Sequence, residues 1–188
     1  MPIITGEIRN ERPTLKIIIA PDSFKGTLSA ADAAGAIAAG IRQILPDAIL
    51  QLMPLADGGE GTLDAILSAT QGARCTVLVT GALGEPVSAA YGLLDDANGP
   101  IAMLEAAQVV GLAQAANSNV MQRSTRGLGE LIRHCLEQNV RRFMIGLGGS
   151  STNDGGAGLL AALGGEMAGS IRQRDCADTP RISAAASR

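Results

Sequence analysis

Aromatic side chains are almost missing from this sequence: among 188 residues there are one Tyr, two Phe and no Trp. Single-stranded nucleic acid is bound largely by stacking its bases on such rings. The net charge is −3, so a basic surface for a nucleic-acid backbone is missing as well. We therefore expect no nucleic-acid partner. We also expect a core of Ala, Ile, Leu and Val, which is typical of helices packed on a parallel sheet.

Cysteine and histidine are also scarce. Cys75, Cys135 and Cys176 are widely spaced and odd in number, no C-x-x-C occurs, and His134 is the single histidine. These residues predict neither a zinc site nor a disulfide framework, and idle thiols are typical of a reducing cytoplasm. His134 itself is expected to be a solvated helix residue. No apolar run approaches membrane-spanning length, and residues 1–14 lack the apolar region of a signal peptide.

The first third of the chain alternates between strand and helix patterns. Residues 15–20 are a short apolar run that predicts a buried strand, and residues 49–53 predict a second strand. Ser29 is the predicted N-cap of a helix between them, and a second helix begins at Thr62. The apolar positions of the first helix are expected on one face: Ala33, Ile37, Ile41, Ile44 and Leu45. The β-α-β-α order predicts parallel strands with right-handed connections.

The middle of the chain changes character. Three shorter strand-like runs are found at residues 75–80, 87–93 and 101–104, and turns separate them. A helix is predicted from about 124 to 138, with Leu128, Leu131, Ile132, Cys135 and Leu136 on one face. A strand at 142–147 follows it. The fold class is therefore α/β, a parallel sheet flanked by helices.

Composition suggests four segments along the chain. We expect a disordered leader at 1–14, or an upstream start codon mistaken for the true one. The first α/β domain then occupies 15–80, and a second α/β segment with a glycine-rich loop occupies 81–164. Residues 165–188 show no period and predict a disordered tail. A helix that starts at Gly156 in an α/β fold should be followed by a strand, but no strand pattern follows it. The chain therefore looks truncated or frameshifted after about residue 164.

The most informative stretch is residues 146–156, Gly-Leu-Gly-Gly-Ser-Ser-Thr-Asn-Asp-Gly-Gly. Glycines between a strand and a helix allow close approach of a ligand, and helix-start amides attract anions. A phosphate is the expected ligand. The segment matches neither the Walker loop nor the dinucleotide fingerprint. A tight surface turn remains an equal alternative on this segment alone.

Three other segments add charged groups at strand or helix ends. Asp22 and Lys25 follow the first strand, Asp57 and Glu60 lie among three glycines, and Arg126 lies at a helix start. Each has a plainer interpretation: a surface ion pair, a turn with solvated acids, or an ordinary helix cap. Taken together they supply what phosphoryl transfer needs, namely cations and amides for phosphates, carboxylates for Mg²⁺, and a base.

These segments resemble the bacterial type I glycerate kinases. The similarity rests on Ile-Ala-Pro-Asp-Ser-Phe-Lys-Gly at 19–26, Leu-Ala-Asp-Gly-Gly-Glu-Gly-Thr at 55–62, and residues 81–86, 124–132 and 145–158. The resemblance implies a two-domain α/β kinase, here incomplete at its C-terminus. It implies ATP and Mg²⁺ as cofactors and D-glycerate as the small-molecule substrate, with 2-phosphoglycerate as the product. It does not indicate a membrane or nucleic-acid partner and leaves the oligomeric state open.

The resemblance also implies roles for individual residues. The catalytic candidates are Lys25, Asp57 and Asp154, and the last two are also candidate ligands of Mg²⁺. Substrate-binding candidates are Asp22, Ser23, Glu60, Arg126 and Asn153. Phosphate-binding candidates are the amides of Gly148, Gly149, Ser150 and Ser151.

The similarity is expected to end near Gly164, whereas members of the family continue. We therefore expect the 188-residue chain to be inactive and poorly stable, with unpaired strand edges. Two alternatives remain: a non-catalytic anion-binding fragment or pseudoenzyme, and a kinase for another small hydroxy acid. Leu128 stands where the family has Thr or Val, a change expected to matter little.

Overall fold

The computed structural model describes residues 15–115 and 118–165, so the predictions for 1–14 and for nearly all of 165–188 lie outside the described residues. The chain divides into two compact units, with the division between Pro54 and Leu55. Each unit is described by itself below. The boundary predicted from the sequence, between residues 80 and 81, stays a prediction.

The first unit is a β-α-β unit. Strand β1 (Lys16–Ile19) and strand β2 (Ile49–Leu52) pair in parallel, and helix α1 (Ala30–Ile44) connects them. Ser29 caps α1, because its hydroxyl accepts a hydrogen bond from the amide of Asp32 at 3.1 Å. The predicted order, the parallel pairing and the cap are confirmed for this unit.

The apolar face predicted for α1 is only partly correct. The small core of the first unit consists of Ile19, Ala34 and Ala38, with Ile41 packed against it. Ile44 at the end of the helix is 79% exposed. Two four-residue strands present a narrow surface. Ala34, Ala38 and Ile41 of α1 pack there, whereas Ile37 and Ile44 are exposed.

The second unit is built on a four-stranded sheet in the order β3-β4-β5-β6. Its elements are α2 (Thr62–Ala69), β3 (Ala73–Thr80), β4 (Pro86–Asp96), β5 (Gly99–Glu105), α3 (Ala107–Val110), α4 (Leu112–Ala115), a 3-10 turn (Val120–Gln122), α5 (Arg126–Glu137), β6 (Arg142–Gly146) and α6 (Ala157–Ala162). The mixed α/β class is thereby confirmed, with parallel pairing between β5 and β6. Strands β3, β4 and β5 pair antiparallel, since the turns between them are too short for a parallel crossover.

Helix α5 covers one face of this sheet. Its residues Leu128, Leu131, Ile132 and Cys135 are buried, so the predicted apolar face is confirmed. They join a core that includes buried side chains from the strands, such as Tyr91. Among the described residues, no helix combines the length and apolar character required to cross a bilayer.

Candidate functional site

Two glycine-rich loops of the second unit touch through their backbones. The acidic loop (residues 56–61) precedes α2, and the glycine–serine loop (residues 146–156) follows β6. The amide of Gly148 donates to the carbonyl oxygen of Gly58 at 2.9 Å. A Cβ at Gly148 would lie 2.7 Å from the Cα of Gly59, closer than real Cβ contacts allow. Glycine at position 148 is therefore needed for the approach of the two loops.

A buried carboxylate at the end of β5 holds the end of the acidic loop by hydrogen bonds. Glu105, the last residue of β5, has no exposed surface. Its carboxylate accepts from the amide of Gly61 at 3.2 Å and from that of Leu63 at 2.9 Å. These amides belong to the start of α2, where a negative charge is favoured. Glu105 is not among the sequence-predicted residues. The available signal is an acid at the end of an apolar strand, whose burial requires hydrogen-bond donors.

The glycine–serine loop is held on its other side by the segment after β5. The amide of Leu112 donates to the carbonyl of Gly149 at 3.0 Å, and the amide of Ser151 donates to that of Val110 at 2.8 Å. The amides of Gly148 and Ser151 are thus used within the protein. Those of Gly149 and Ser150 donate to no acceptor within residues 15–115 and 118–165. These contacts favour Gly149 and Ser150 among the four predicted phosphate-binding amides.

Asp154 joins the beginnings of two helices. One carboxylate oxygen accepts from the amide of Thr125 at 2.8 Å and from that of Gly158 at 3.1 Å. The other accepts from the amide of Gly156 at 3.1 Å, and the hydroxyl of Thr125 lies within 3.1 Å of both oxygens. Its predicted role as a base or a ligand of Mg²⁺ stays untested. These contacts favour a role in fixing α5 and α6 relative to each other.

The metal prediction lacks a suitable group of ligands. Within the described parts of the chain, no three His, Cys, Asp or Glu side chains are placed to hold an ion together. Asp154 is surrounded by hydrogen-bond donors, which is the opposite of what a cation requires. The described side chains therefore do not fit an all-protein Mg²⁺ site.

The remaining predicted residues of the second unit lie on its surface. Asp57 and Glu60 are exposed in the acidic loop, and one carboxylate oxygen of Asp57 accepts from the amide of Gly59 at 3.0 Å. Asn153 is exposed in the glycine–serine loop. Arg126 is the first residue of α5, and its Nε donates to Glu130 at 2.9 Å.

Glu130 links the start of α5 to the end of β3. Its second carboxylate oxygen accepts from the amide of Thr80 at 2.9 Å. Burial raises the pKa of Glu130, but the hydrogen bonds from Thr80 and Arg126 outweigh it, and the pKa lies below its usual value. A charged Glu130 therefore holds Arg126 close to the helix start.

The predicted residues of the first unit lie in the turn between β1 and α1. The amide of Ser23 donates to the carboxylate of Asp22 at 2.6 Å. A short loop follows, closed by the amide of Phe24 donating to Leu28 at 2.9 Å, and Lys25 lies within it. All three predicted residues, Asp22, Ser23 and Lys25, thus belong to a single ordered turn.

Two further polar residues have roles that the sequence did not indicate. Arg123 is buried, and its guanidinium donates to the carbonyls of Ala115 and Ser118 at 2.6 Å each and to that of Ser151 at 2.9 Å. It therefore ties the segment before α5 to the glycine–serine loop. His134 was expected to be solvated, but it is half-buried, with its Nε2 3.2 Å from the hydroxyl of Tyr91.

Parallel strands β5 and β6 end side by side, with Glu105 paired to Gly146, and both glycine-rich loops lie at this edge. The arrangement is typical of α/β proteins that bind anionic ligands at the carboxyl ends of their strands. Comparison with known families then identifies the chain more narrowly. It belongs to the glycerate kinase family, whose sequence model matches residues 17–179. The match extends beyond Gly164, where the resemblance was expected to end.

Several relatives are substantially similar to this chain. Glycerate kinase of Bacillus subtilis (strain 168) and glycerate 2-kinase of Escherichia coli (strain K12) are each 46% identical over 153 residues. A solved structure from Salmonella typhimurium LT2, whose description names a glycerate kinase 2, is 48% identical with a TM-score of 0.68, and the alignment covers 82% of this chain and 41% of that one. The matches to the first two cover 81% of this chain and 40% of each relative. The chain thus spans about two fifths of the relatives' length.

Proposed function

We propose that this chain carries part of the site of an ATP-dependent kinase that phosphorylates D-glycerate. The observation that supports this most directly is the contact between the acidic loop and the glycine–serine loop. It brings two exposed carboxylates onto a stretch of backbone next to two amides that have no acceptor among the described residues. Phosphoryl transfer depends mainly on such positioning and on electrostatic stabilisation.

The proposed roles follow the chemistry of each side chain. The amides of Gly149 and Ser150 bind a phosphate oxygen, which suits donors on a glycine-rich turn. Arg126 and Lys25 bind the substrate carboxylate or the transferring phosphoryl group. Asp57 accepts the proton of the substrate hydroxyl. The proposed substrate contacts are Asp22, Ser23, Glu60 and Asn153.

The finer features of the reaction are also proposals. ATP supplies the phosphoryl group, and Mg²⁺ supplies neutralisation of its phosphates when it is bound. The name of the E. coli relative favours phosphorylation at the 2-hydroxyl. The cytoplasm is the proposed location, on the sequence argument from idle thiols.

A second candidate is an anion-binding chain that does not catalyse. It is favoured by the contacts of Asp154, whose carboxylate accepts from the amides of Thr125, Gly156 and Gly158 and so has a structural role. It shares the anion-binding loops with the first candidate. The two therefore differ in turnover and not in where a nucleotide binds.

The experiment measures binding and turnover separately on the purified chain. ATP and D-glycerate are titrated into ¹⁵N-labelled protein, and ADP release is followed in a coupled assay over a panel of small hydroxy acids. We expect ATP to shift the amide signals of Gly149 and Ser150. Release well above background would support the kinase and refute the expected inactivity. Binding without turnover supports the second candidate, and shifts confined to other residues contradict both.

A further inference from the structure

Glu105 connects the end of a core strand to the acidic loop. Its carboxylate reaches from β5 to the amides of Gly61 and Leu63, more than forty residues away in sequence. The amide side chain of Gln108, in α3, lies 3.4 Å from the same carboxylate and donates to it. Three donors and the start of α2 thus compensate a fully buried charge.

The position of the acidic loop depends on this connection. On one side the loop contacts the glycine–serine loop through Gly58 and Gly148. On the other side, its last residue, Gly61, is bonded to Glu105. Glu60 lies between these two attachments, and Asp57 directly precedes the first. The two attachments therefore fix the backbone that carries both carboxylates. Loss of the second attachment leaves α2 free to begin elsewhere, and the exposed carboxylates lose their position.

We infer that Glu105 is a positioning residue for the acidic loop, acting through the amides of Gly61 and Leu63. The inference rests on the proposed function in one respect: the ligands whose binding the loop supports are ATP and D-glycerate. Glu105 touches neither ligand in this role, and no proton transfer is assigned to it.

The test compares Glu105→Gln with two control variants of the full chain. The glutamine keeps the shape of the side chain but presents an amide group to one of the two backbone donors, so that one bond is lost. Glu137→Gln makes the same chemical change at a side chain that is 69% exposed. Leu131→Ala weakens the core without touching the loop, and it shows what general destabilisation alone does.

Three quantities are measured for each variant: hydrogen exchange of the amides of Gly61 and Leu63, their proton chemical shifts, and the affinity for ATP. In Glu105→Gln we expect about tenfold faster exchange and upfield shifts, because a bond to a charged acceptor is lost. We also expect ATP affinity to fall by about tenfold. The other two variants should keep the wild-type chemical shifts at both amides.

The outcomes separate the inference from the proposed function. Wild-type exchange and shifts at both amides in Glu105→Gln would overturn the inference, even if ATP binds normally. If the wild-type chain binds neither ATP nor D-glycerate, the proposed function fails, while the exchange data still decide whether Glu105 fixes the loop. Should Glu105→Gln fail to fold, Gln108→Ala removes one partner of the carboxylate. It is expected to change both amides in the same direction by a smaller amount.

Discussion

Helix α1 of the first unit and helix α5 of the second carry similar aliphatic side chains, yet their burial differs sharply. Leu131 of α5 has no exposed surface, whereas Ile44 of α1 is 79% exposed. The strands differ in the same way: Leu104 of β5 is fully buried, while Ile18 of β1 is 58% exposed. Apolar periodicity therefore predicts that an element forms, but its burial also depends on how much surface packs against it.

The number of strands beneath the helix accounts for the difference. Helix α5 packs in a core shared with a four-stranded sheet, so each of its apolar side chains meets several neighbours. Helix α1 packs on two strands of four residues each, and alanines suffice to fill the space between them. Small units bury a smaller fraction of their surface and are correspondingly less stable.

The largest expected effect comes from truncating a side chain in each helix. Leu131→Ala removes a fully buried side chain, and we expect it to destabilise the second unit by about 2–5 kcal/mol. Ile44→Ala removes an exposed one, and its effect should stay within about 0.5 kcal/mol. Hydrogen exchange is measured for individual peptides at increasing urea concentration, which gives the free energy of unfolding of each unit separately. Equal losses in the two variants would contradict the explanation based on packing surface.

Glycine-to-alanine changes in the same two helices sharpen the comparison. A Cβ at Gly127 in α5 would overlap the carbonyl oxygen of Thr80, and a backbone atom cannot easily move aside. We expect Gly127→Ala to destabilise the second unit by about 1–3 kcal/mol.

The matched change is Gly40→Ala in α1. No atom lies within 4 Å of a Cβ at Gly40, and the position is exposed in the interior of the helix. Alanine there should stabilise the first unit by about 0.5–1 kcal/mol. The same exchange assay measures both changes. A destabilising Gly40→Ala would mean that α1 is more tightly packed than its exposure indicates.

Much of the fold could be predicted from local sequence patterns. The cap at Ser29, the buried face of α5 and the strand before Gly146 all depend on neighbouring residues, and the structure contains each of them. The antiparallel pairing of β3, β4 and β5 was not predicted. In the structure, residues 81–85 and 97–98 connect these strands, and both connections are short enough that neighbouring strands must pair antiparallel.

The candidate site was predictable only in part. The glycine-rich loops are visible in sequence because their composition is unusual, and their backbones do meet in the second unit. The contacts of Glu105, Arg123 and Asp154 join residues that are distant in the chain, and no local pattern reports them. Asp154 illustrates the difficulty, since a carboxylate in a glycine-rich loop suits catalysis and helix capping equally well.

The smallest expected effect concerns an ion pair on the surface of the second unit. Both of its residues belong to that unit, so its loss should not affect the first unit. The guanidinium of Arg142, at the start of β6, donates to the carboxylate of Asp96 at 2.8 Å. This bond, with one from the amide of Asn98, lowers the pKa of Asp96 to about 2. Both side chains are about 40% exposed, so solvent and salt weaken the pair.

A lowered pKa in the folded state stabilises that state only while the group is ionised. The contribution of Asp96 is therefore present above its unfolded pKa, about 4, and is lost as the pH falls toward its folded value. Asp96→Asn should lower the urea midpoint of the second unit slightly at pH 6, and the difference from wild type should shrink toward zero near pH 2. Asp47→Asn, an exposed change in the first unit, should leave that midpoint unchanged at both pH values. A difference for Asp96→Asn that persisted undiminished at low pH would show that lost packing, and not lost charge, causes it.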